Sequence, residues 1–275
     1  MDLSIVIVSF NARSDLERCL QSLDSGHGAP VRRSHEILVV DNASTDGSAD
    51  TARKWQDVRV IQTGANIGFA SGSNIGIRAS CGTNLLLLNS DTIVPAGALD
   101  LMIDELDRRP DVAVVGPRLV DAAGHAELSF GRMVGPFNEL RQKILMRGHA
   151  ARQAAISSSV DRATRQEQFP DWVSGACLLV RRRDADAVGL LDERYFMYLE
   201  DVDFCAAIRA RGRRVLFTPS VEVVHLRGQS ARATPATTAG TARAYRRSQV
   251  AFYEKHHPGW VPLLRLYLKL RGADS

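Results

Sequence analysis

The sequence predicts an α/β protein in which helices cover both faces of a mostly parallel β-sheet. Short runs rich in Val, Ile and Leu alternate with segments whose apolar residues recur every three or four positions. The runs are typical of buried strands and the segments of amphipathic helices, and their alternation favours a parallel sheet. With 275 residues, 45% of them hydrophobic, the chain can bury one large core.

The individual elements follow from these patterns. The first helix carries its apolar residues on one face and has Ser14 as the expected N-cap. A Gly-rich turn leads into a second helix within residues 66–81, and Pro95 opens a third. The apolar positions of the first and third helices are Leu16, Cys19, Leu20 and Leu23, then Leu99, Met102, Ile103 and Leu106. Strands are expected at residues 3–10, 36–40, 58–62, 84–88 and 112–115.

Beyond residue 120 the regular alternation stops. Residues 121–170 are polar and rich in Arg and Gln, which indicates an insertion or a mobile loop. Residues 230–240 are rich in Ala, Thr and Gly and are interpreted as a linker to a helical tail over residues 241–271. Between these segments we expect a strand at 173–181, a helix at 201–211 and a strand at 214–217.

Short polar side chains follow each of the first four strands. These clusters contain Ser9 and Asn11, then Asp41, then Asn66 and Gly68, then Asn89, Ser90 and Asp91. Because ligands bind outside the carboxyl ends of parallel strands, the four clusters predict one polar crevice. Each cluster taken alone is also explained by ordinary turn and N-cap residues.

Glycines at 68, 72 and 76 share one face of the second helix, where its backbone can approach a strand or a ligand closely. The spacing matches neither the dinucleotide-binding nor the P-loop pattern, which disfavours dehydrogenases of the dinucleotide fold and P-loop nucleotide hydrolases.

Two further groups can carry chemistry. Glu200, Asp201 and Asp203 begin a helix, where acids either complement the helix dipole or provide a general base. Amides at the helix end are expected to help keep Asp201 ionised. His225 follows a strand and is either structural or a metal ligand.

Bulk properties exclude several classes. The net charge of +4 is too small to indicate a nucleic-acid-binding protein. The four cysteines form no Cys-x-x-Cys pair and are predicted to be reduced thiols. Neither a signal peptide nor a run of about 18 apolar residues is apparent, so the expected location is cytoplasmic.

The order of these motifs resembles the family-2 glycosyltransferases with a GT-A fold, and more narrowly their rhamnosyltransferase-like branch. The matching pieces span residues 3–230 and keep the family's order and spacing. They lie at residues 5–11, 39–47, 66–72, 87–91, 173–176, 200–203 and 225–230.

The resemblance implies a role for each matching position. Asp41 would contact the base or ribose of the nucleotide, with Ser9 and Asn11 beside it. Asn66 and Gly68 would hold the nucleotide near its base and diphosphate, and Ser90 would belong to the same binding site. Asp91 and His225 would coordinate Mn²⁺ or Mg²⁺, and the imidazole favours Mn²⁺. Asp201 would be the base, with Glu200 beside it, and Gly175 would lie at the acceptor site. Trp172 would line that site or belong to the core.

The resemblance also implies a division of the chain and a reaction. Residues 1–229 would form the GT-A domain, with a nucleotide-binding half over 1–118, the insertion over 121–170 and an acceptor half over 171–229; residues 230–275 would be the linker and tail. The reaction would invert the anomeric centre while moving a sugar from a nucleotide-sugar to a hydroxyl of a saccharide or lipid-linked saccharide in cell-surface polysaccharide synthesis. The branch favours dTDP-rhamnose as donor, and UDP-sugars remain open.

One departure and two alternatives accompany this reading. Many relatives carry Asp-x-Asp where this chain has Asn89–Ser90–Asp91, which puts metal affinity in question. A non-catalytic nucleotide-sugar binding module would need Asp41 but not Asp201. A nucleotidyltransferase should show a Gly-rich basic loop after the first strand, and residues 9–12 do not supply one.

The tail carries a second apolar helix with interspersed cations. Leu263, Leu266, Tyr267 and Leu270 share one face, and Arg265 and Lys269 lie on another. Such a helix suits a peripheral membrane contact, a cap on the core or a homodimer interface.

Overall fold

The computed structural model describes residues 1–24, 31–136, 138–139, 148, 154–227 and 235–270. Its strands are β1 (Leu3–Ser9), β2 (His35–Asp41), β3 (Val58–Gln62), β4 (Asn84–Asn89), β5 (Thr92–Ile93), β6 (Val112–Val120), β7 (Phe130–Gly131), β8 (Trp172–Val173), β9 (Cys177–Arg181) and β10 (Arg214–His225). Its helices are α1 (Arg13–Leu23), α2 (Ser48–Ala52), α3 (Phe69–Ala79), α4 (Ala98–Arg108), α5 (Ala154–Ala163), α6 (Arg182–Ala187), α7 (Glu200–Ala210), α8 (Pro235–His256) and α9 (Val261–Leu270).

The main sheet has the strand order β3-β2-β1-β4-β9-β6-β10-β5. Strands β1 to β4 pair in parallel, as do β6 and β10. Strand β9 lies antiparallel between β4 and β6, and β5 pairs antiparallel with β10. The predicted mostly parallel sheet flanked by helices is therefore confirmed. Because β9 and β10 join it, residues on both sides of the predicted insertion build one sheet.

Alternating side chains of the buried strands form a core on each face of the sheet. Ile5 and Ile7 point to the face covered by α1 and α4, whereas Val6 points to the face covered by α3, α7 and α8. The apolar positions predicted for α1 and α4 are all buried. The period-two and period-3.6 patterns therefore placed these side chains correctly.

The glycines of α3 bring that helix onto the sheet. A Cβ at Gly76 would lie 2.4 Å from Val6 Cγ1, and one at Gly72 would lie 3.1 Å from Val8 Cγ1. The expected close approach of this helix face is thus to strand β1.

Two predictions about local structure are wrong. Residues 173–181 form two strands, β8 and β9, and β8 leaves the main sheet to pair with β7. Ser14 is not the N-cap of α1, because that position is Ala12. Two side chains that follow β2 cap the helix instead. Ser48 Oγ, at the start of α2, accepts from the Ala12 amide (3.3 Å), and Asp46 Oδ2 accepts from the Arg13 amide (2.8 Å).

The insertion and part of the linker are more regular than expected, and the tail is helical as predicted. Residues 121–170 contain β7 and α5, and α8 begins at Pro235, inside the predicted linker. The rest of the linker before Pro235, and residues 228–230 of the His225 motif, lie outside the described residues. Phe252, Tyr253, Leu264 and Leu268 of the tail are buried in the core. Within the described ranges, no helix has the length and apolar character needed to cross a membrane.

Candidate active site

Ser9 and Asp41 form the floor of the crevice at the ends of β1 and β2. They are cross-strand partners and both are fully buried. Asp41 Oδ2 accepts from the Ser44 amide (3.1 Å), whereas Asp41 Oδ1 and Ser9 Oγ have no hydrogen-bond partner in the described part of the chain. A buried polar atom without a partner is costly. The pair is therefore suited to bind hydroxyl or N–H groups of a ligand.

Asn11 joins the loops that follow β1 and β2. Its amide donates to Ser44 Oγ (3.0 Å), and its Oδ1 accepts from the Thr45 amide (2.8 Å). The residue adopts a positive φ of 49°, which Asn tolerates better than most residues. These bonds hold the two loops in a fixed relation beside Ser9 and Asp41.

The Gly-rich turn packs against the segment that precedes α7. Gly68 has φ 87° and ψ 176°, a conformation almost restricted to glycine, and a Cβ there would lie 2.4 Å from Phe196 O. The Phe69 amide donates to the same oxygen (2.7 Å), and Asn66 Oδ1 accepts from the Gly68 amide (3.2 Å). The predicted nucleotide turn therefore contacts the half of the protein that carries Asp201.

Asp91 and His225 meet because β10 pairs with β5. His225 lies opposite Thr92, and the Leu226 amide donates to Asp91 O (2.8 Å). His225 Nε2 lies 3.4 Å from Asp91 Oδ1 and 3.5 Å from Asn89 Nδ2. Ser90 lies next to Asp91 in the turn between β4 and β5 and is partly exposed. The two predicted metal ligands, 134 positions apart in the sequence, thus share one site.

Glu127 completes this site, and sequence reasoning missed it. The residue is 6% exposed; Oε2 lies 3.1 Å from His225 Nδ1, and Oε1 accepts from Arg227 Nε (2.5 Å). Burial opposes ionisation, but the bonds to His225 and Arg227 outweigh it and lower the pKa of Glu127. Nothing in the polar stretch around residue 127 distinguishes this Glu, because its partners lie about 100 positions away.

Burial disfavours a charged His225, yet the hydrogen bonds to Asp91 and Glu127 prevail and raise its pKa to about 9. A metal ion at Nε2 would have to displace that proton, which makes its binding pH-dependent. The carboxylate on Nδ1 orients the ring with Nε2 towards Asp91, an arrangement common around metal-ligating histidines.

The Asp91–His225 pair fits a shared divalent cation. Ligands that lie about 2.1 Å from one ion are roughly 3.0–3.4 Å apart, which matches the observed 3.4 Å. Over the described ranges, no group of three or more His, Cys, Asp or Glu side chains is arranged to hold a metal. Among the described residues, Asp91 and His225 are the two placed to share such an ion, and phosphate or water oxygens are the ligands that would suit its remaining positions.

Asp201 and Glu200 open α7. Asp201 Oδ2 accepts from the Gly175 amide (2.8 Å) and Oδ1 from the Val202 amide (2.8 Å). The Val202 amide is the bond from the helix end that was expected to keep Asp201 ionised, and the Gly175 amide, from the segment between β8 and β9, acts in the same direction. Burial outweighs both bonds and raises the pKa of Asp201. Glu200 is 6% exposed, and burial together with the nearby Asp201 raises its pKa well above the ordinary value. Raised pKa values on a carboxylate pair are typical of acid–base sites.

A short chain of hydrogen bonds links Asp201 to the Asp91–His225 pair. The Gly175 amide bonds to Asp201, and the next residue, Ala176, accepts from the Asn89 amide (2.9 Å), two positions before Asp91. A Cβ at Gly175 would lie 3.3 Å from Asp201 Cβ, so the glycine allows the close approach.

Trp172 and Asp203, which lie in or beside the predicted site motifs, make structural contacts. Trp172 is 7% exposed, and its indole N–H donates to Arg132 O (2.9 Å), so of its two open roles the structure shows the packing one. Asp203, the third acid of the helix start, bonds to Lys255 (2.8 Å) and His256 (2.6 Å) and ties α7 to α8. An acceptor contact by Trp172 stays a prediction.

Known proteins are similar to this chain in sequence and in fold. The sequence model of glycosyl transferase family 2 matches residues 4–166, more than half of the chain. An N-acetylglucosaminyl-diphospho-decaprenol L-rhamnosyltransferase of Mycobacterium tuberculosis is 31% identical over 98% of this chain and 91% of its own length. The low-salt glycan biosynthesis hexosyltransferase Agl10 of Haloferax volcanii is 26% identical over 82% of this chain and 67% of its own.

Solved structures of glycosyltransferases have the same fold at low identity. The mannosyltransferase PcManGT from Pyrobaculum calidifontis, in complex with GDP-Man and Mn²⁺, matches with a TM-score of 0.64, 18% identity and coverage of 96% of this chain and 68% of its own. GalNAc-T7 with UDP, GalNAc and Mn²⁺ matches with a TM-score of 0.61, 18% identity and coverage of 91% and 48%. The expected GT-A fold is confirmed, and this chain belongs to glycosyl transferase family 2, in its rhamnosyltransferase-like branch.

Proposed function

We propose that this enzyme transfers L-rhamnose from dTDP-rhamnose, with inversion, to a hydroxyl of a lipid-linked saccharide. The observation that carries the proposal is the Asp91–His225 pair, joined to Asp201 through Asn89, Ala176 and Gly175. The Mycobacterium tuberculosis relative, matched over nearly the whole chain, is named for transfer of L-rhamnose to N-acetylglucosaminyl-diphospho-decaprenol. Its name supports both the sugar and the acceptor class.

The crevice would bind the donor in parts. Ser9 and Asp41 would bind the nucleoside through their unpartnered buried oxygens. Asn11, Asn66 and Gly68 would hold the surrounding loops, and Ser90 would lie beside the diphosphate. A Mn²⁺ or Mg²⁺ ion held by Asp91 and His225 would offset the charge of the departing diphosphate. Arg227, bonded to Glu127 and 56% exposed, would add a positive charge on the same side.

Asp201 would remove the proton from the attacking hydroxyl. Its raised pKa makes the ionised form a stronger base, and the Gly175 and Val202 amides hold the carboxylate in place. Burial and the neighbouring Asp201 raise the pKa of Glu200, and its protonated carboxyl would donate a hydrogen bond to a sugar hydroxyl. Attack from the side of Asp201, opposite the diphosphate, inverts the anomeric centre in one step.

Donor choice is tested by thermal shift with dTDP-rhamnose, UDP-GlcNAc, UDP-galactose and GDP-mannose, each with and without Mn²⁺. A ligand specific to the native state raises the melting temperature by mass action. We expect the largest metal-dependent shift with dTDP-rhamnose. A larger shift with a UDP-sugar would replace the donor and keep the enzyme class.

Transfer is tested with a short-chain GlcNAc-diphospho-polyprenol as acceptor, following the product by mass spectrometry. We expect a rhamnosylated product, and we expect that none forms when EDTA is present from the start of the reaction. Donor binding without turnover on any saccharide acceptor would favour the non-catalytic binding module.

The proposed cytoplasmic location is supported by the four free cysteines, of which three are buried.

A further inference from the structure

The last helix of the tail presents apolar side chains to solvent. Trp260, just before α9, and Leu263, Leu266, Tyr267 and Leu270 on it are between 41% and 79% exposed. We call these five residues the tail face. On the other side of the helix, Leu264 and Leu268 are buried in the core. The helix is therefore anchored to the body while it exposes an apolar surface.

This arrangement separates the core cap from the other two roles that were open for the tail. The cap is formed by Leu264 and Leu268, which do not belong to the apolar face identified in the sequence. The predicted face, Leu263, Leu266, Tyr267 and Leu270, is the exposed one. An apolar patch that the fold leaves exposed indicates an interaction site.

The size of the tail face argues against a second copy of the chain as its occupant. Five side chains that are each about half exposed contribute roughly 100 Å² apiece, or roughly 500 Å² together, whereas a standard protein interface buries about 800 Å² per partner. Binding to a lipid surface requires no minimum buried area, because each apolar side chain that enters the boundary of the acyl chains adds its own favourable free energy.

The chemistry around the tail face also matches a lipid surface. Trp260 and Tyr267 combine an apolar ring with a polar atom, the combination enriched at membrane interfaces. Arg265 and Lys269, both exposed and four residues apart, form the row that borders the face. Arg265 bonds to Glu254 (2.7 Å), which leaves Lys269 as the stronger attraction for lipid phosphate. The chain as a whole carries a net charge of +4.

We propose that the tail face docks the enzyme on an anionic lipid bilayer, with α9 lying in the plane of the interface. Such docking suits a lipid-linked acceptor but does not depend on the identity of donor or acceptor. It concerns a surface formed by the tail, outside the catalytic residues.

The test is flotation of the full chain with vesicles of phosphatidylcholine alone or mixed with equal parts phosphatidylglycerol. We expect the wild type to float with the anionic vesicles. The double variant Leu263→Ser/Leu266→Ser should bind them roughly 10- to 30-fold more weakly, because two half-exposed leucines no longer insert. Leu101→Ser is the matched control, since Leu101 is a 46% exposed leucine on α4, and it should bind as the wild type does.

Lys269→Glu provides an independent readout that leaves the apolar face intact. It should weaken binding to anionic vesicles several-fold and leave the weaker binding to neutral vesicles unchanged. Equal binding by the wild type and the double variant, or no binding to either vesicle, would overturn the proposal. A wild type that is dimeric in light scattering, together with a double variant that is monomeric, would also overturn the proposal, because a second copy of the chain would then cover the tail face.

Discussion

Gly68→Ala tests whether the contact between the nucleotide turn and the Phe196 segment supports the site. The substitution adds one methyl group at a residue with φ 87° and ψ 176°. That Cβ would lie 2.4 Å from Phe196 O, 2.8 Å from its ring and 2.9 Å from its Cα. Because two of these atoms belong to the backbone, rotation of the Phe196 side chain cannot relieve the clash.

The expected loss of stability has two parts. A non-glycine residue in this backbone conformation costs about 1–3 kcal/mol. Displacement of Phe196 O also breaks its hydrogen bond with the Phe69 amide, which adds about 1 kcal/mol. The free energy of unfolding should therefore fall by roughly 2–4 kcal/mol, which lowers the melting temperature by roughly 4–15 °C for a chain of this size.

Gly64→Ala is the matched control. Gly64 lies in the same loop and also has a positive φ, of 76°, but a Cβ there would meet no atom within 4 Å. Urea denaturation gives the stability of both variants, and titration with dTDP gives their nucleotide affinity. We expect Gly68→Ala to lose more stability than Gly64→Ala and to bind the nucleotide at least tenfold more weakly. Equal effects of the two variants would show that the contact with Phe196 is unimportant.

Three further predictions concern the catalytic groups. Asp201→Asn should keep its fold and donor affinity but lose transfer by at least 100-fold; retained turnover in a product assay would remove Asp201 as the base. Since burial raises the pKa of Asp201 and a base must be ionised, kcat/KM should fall on acidification at a pH above the ordinary Asp value of 3.8; an acid limb at or below that value would contradict this. Glu127→Gln should lower the pKa of His225 from about 9, because it removes an anion that favours the protonated ring. NMR titration of the metal-free protein measures this pKa. The control is Glu222→Gln, which changes a carboxylate on the same strand as His225 and should leave the pKa of His225 unchanged.

Most of the fold was predictable because its signals are local. Buried strands and amphipathic helices show their periods within about ten residues, which was enough to place β1 to β4, α1 and α4. The predictions went wrong where distant partners decide. Asp46 and Ser48, which follow β2, cap α1, and the pairing of β8 with β7 splits the expected strand at 173–181.

For the site, the sequence alone determined which polar residues follow the strands. Because parallel strands share their direction, Ser9 and Asp41 had to lie at one edge of the sheet. Only the tertiary structure decided that Glu127 supports His225, and that Asp203 ties α7 to Lys255 while Asp201 faces Gly175. It also decided which face of α9 is buried. Such choices depend on which charges and surfaces lie within a few ångströms in space, and the spacing of residues along the chain does not contain that information.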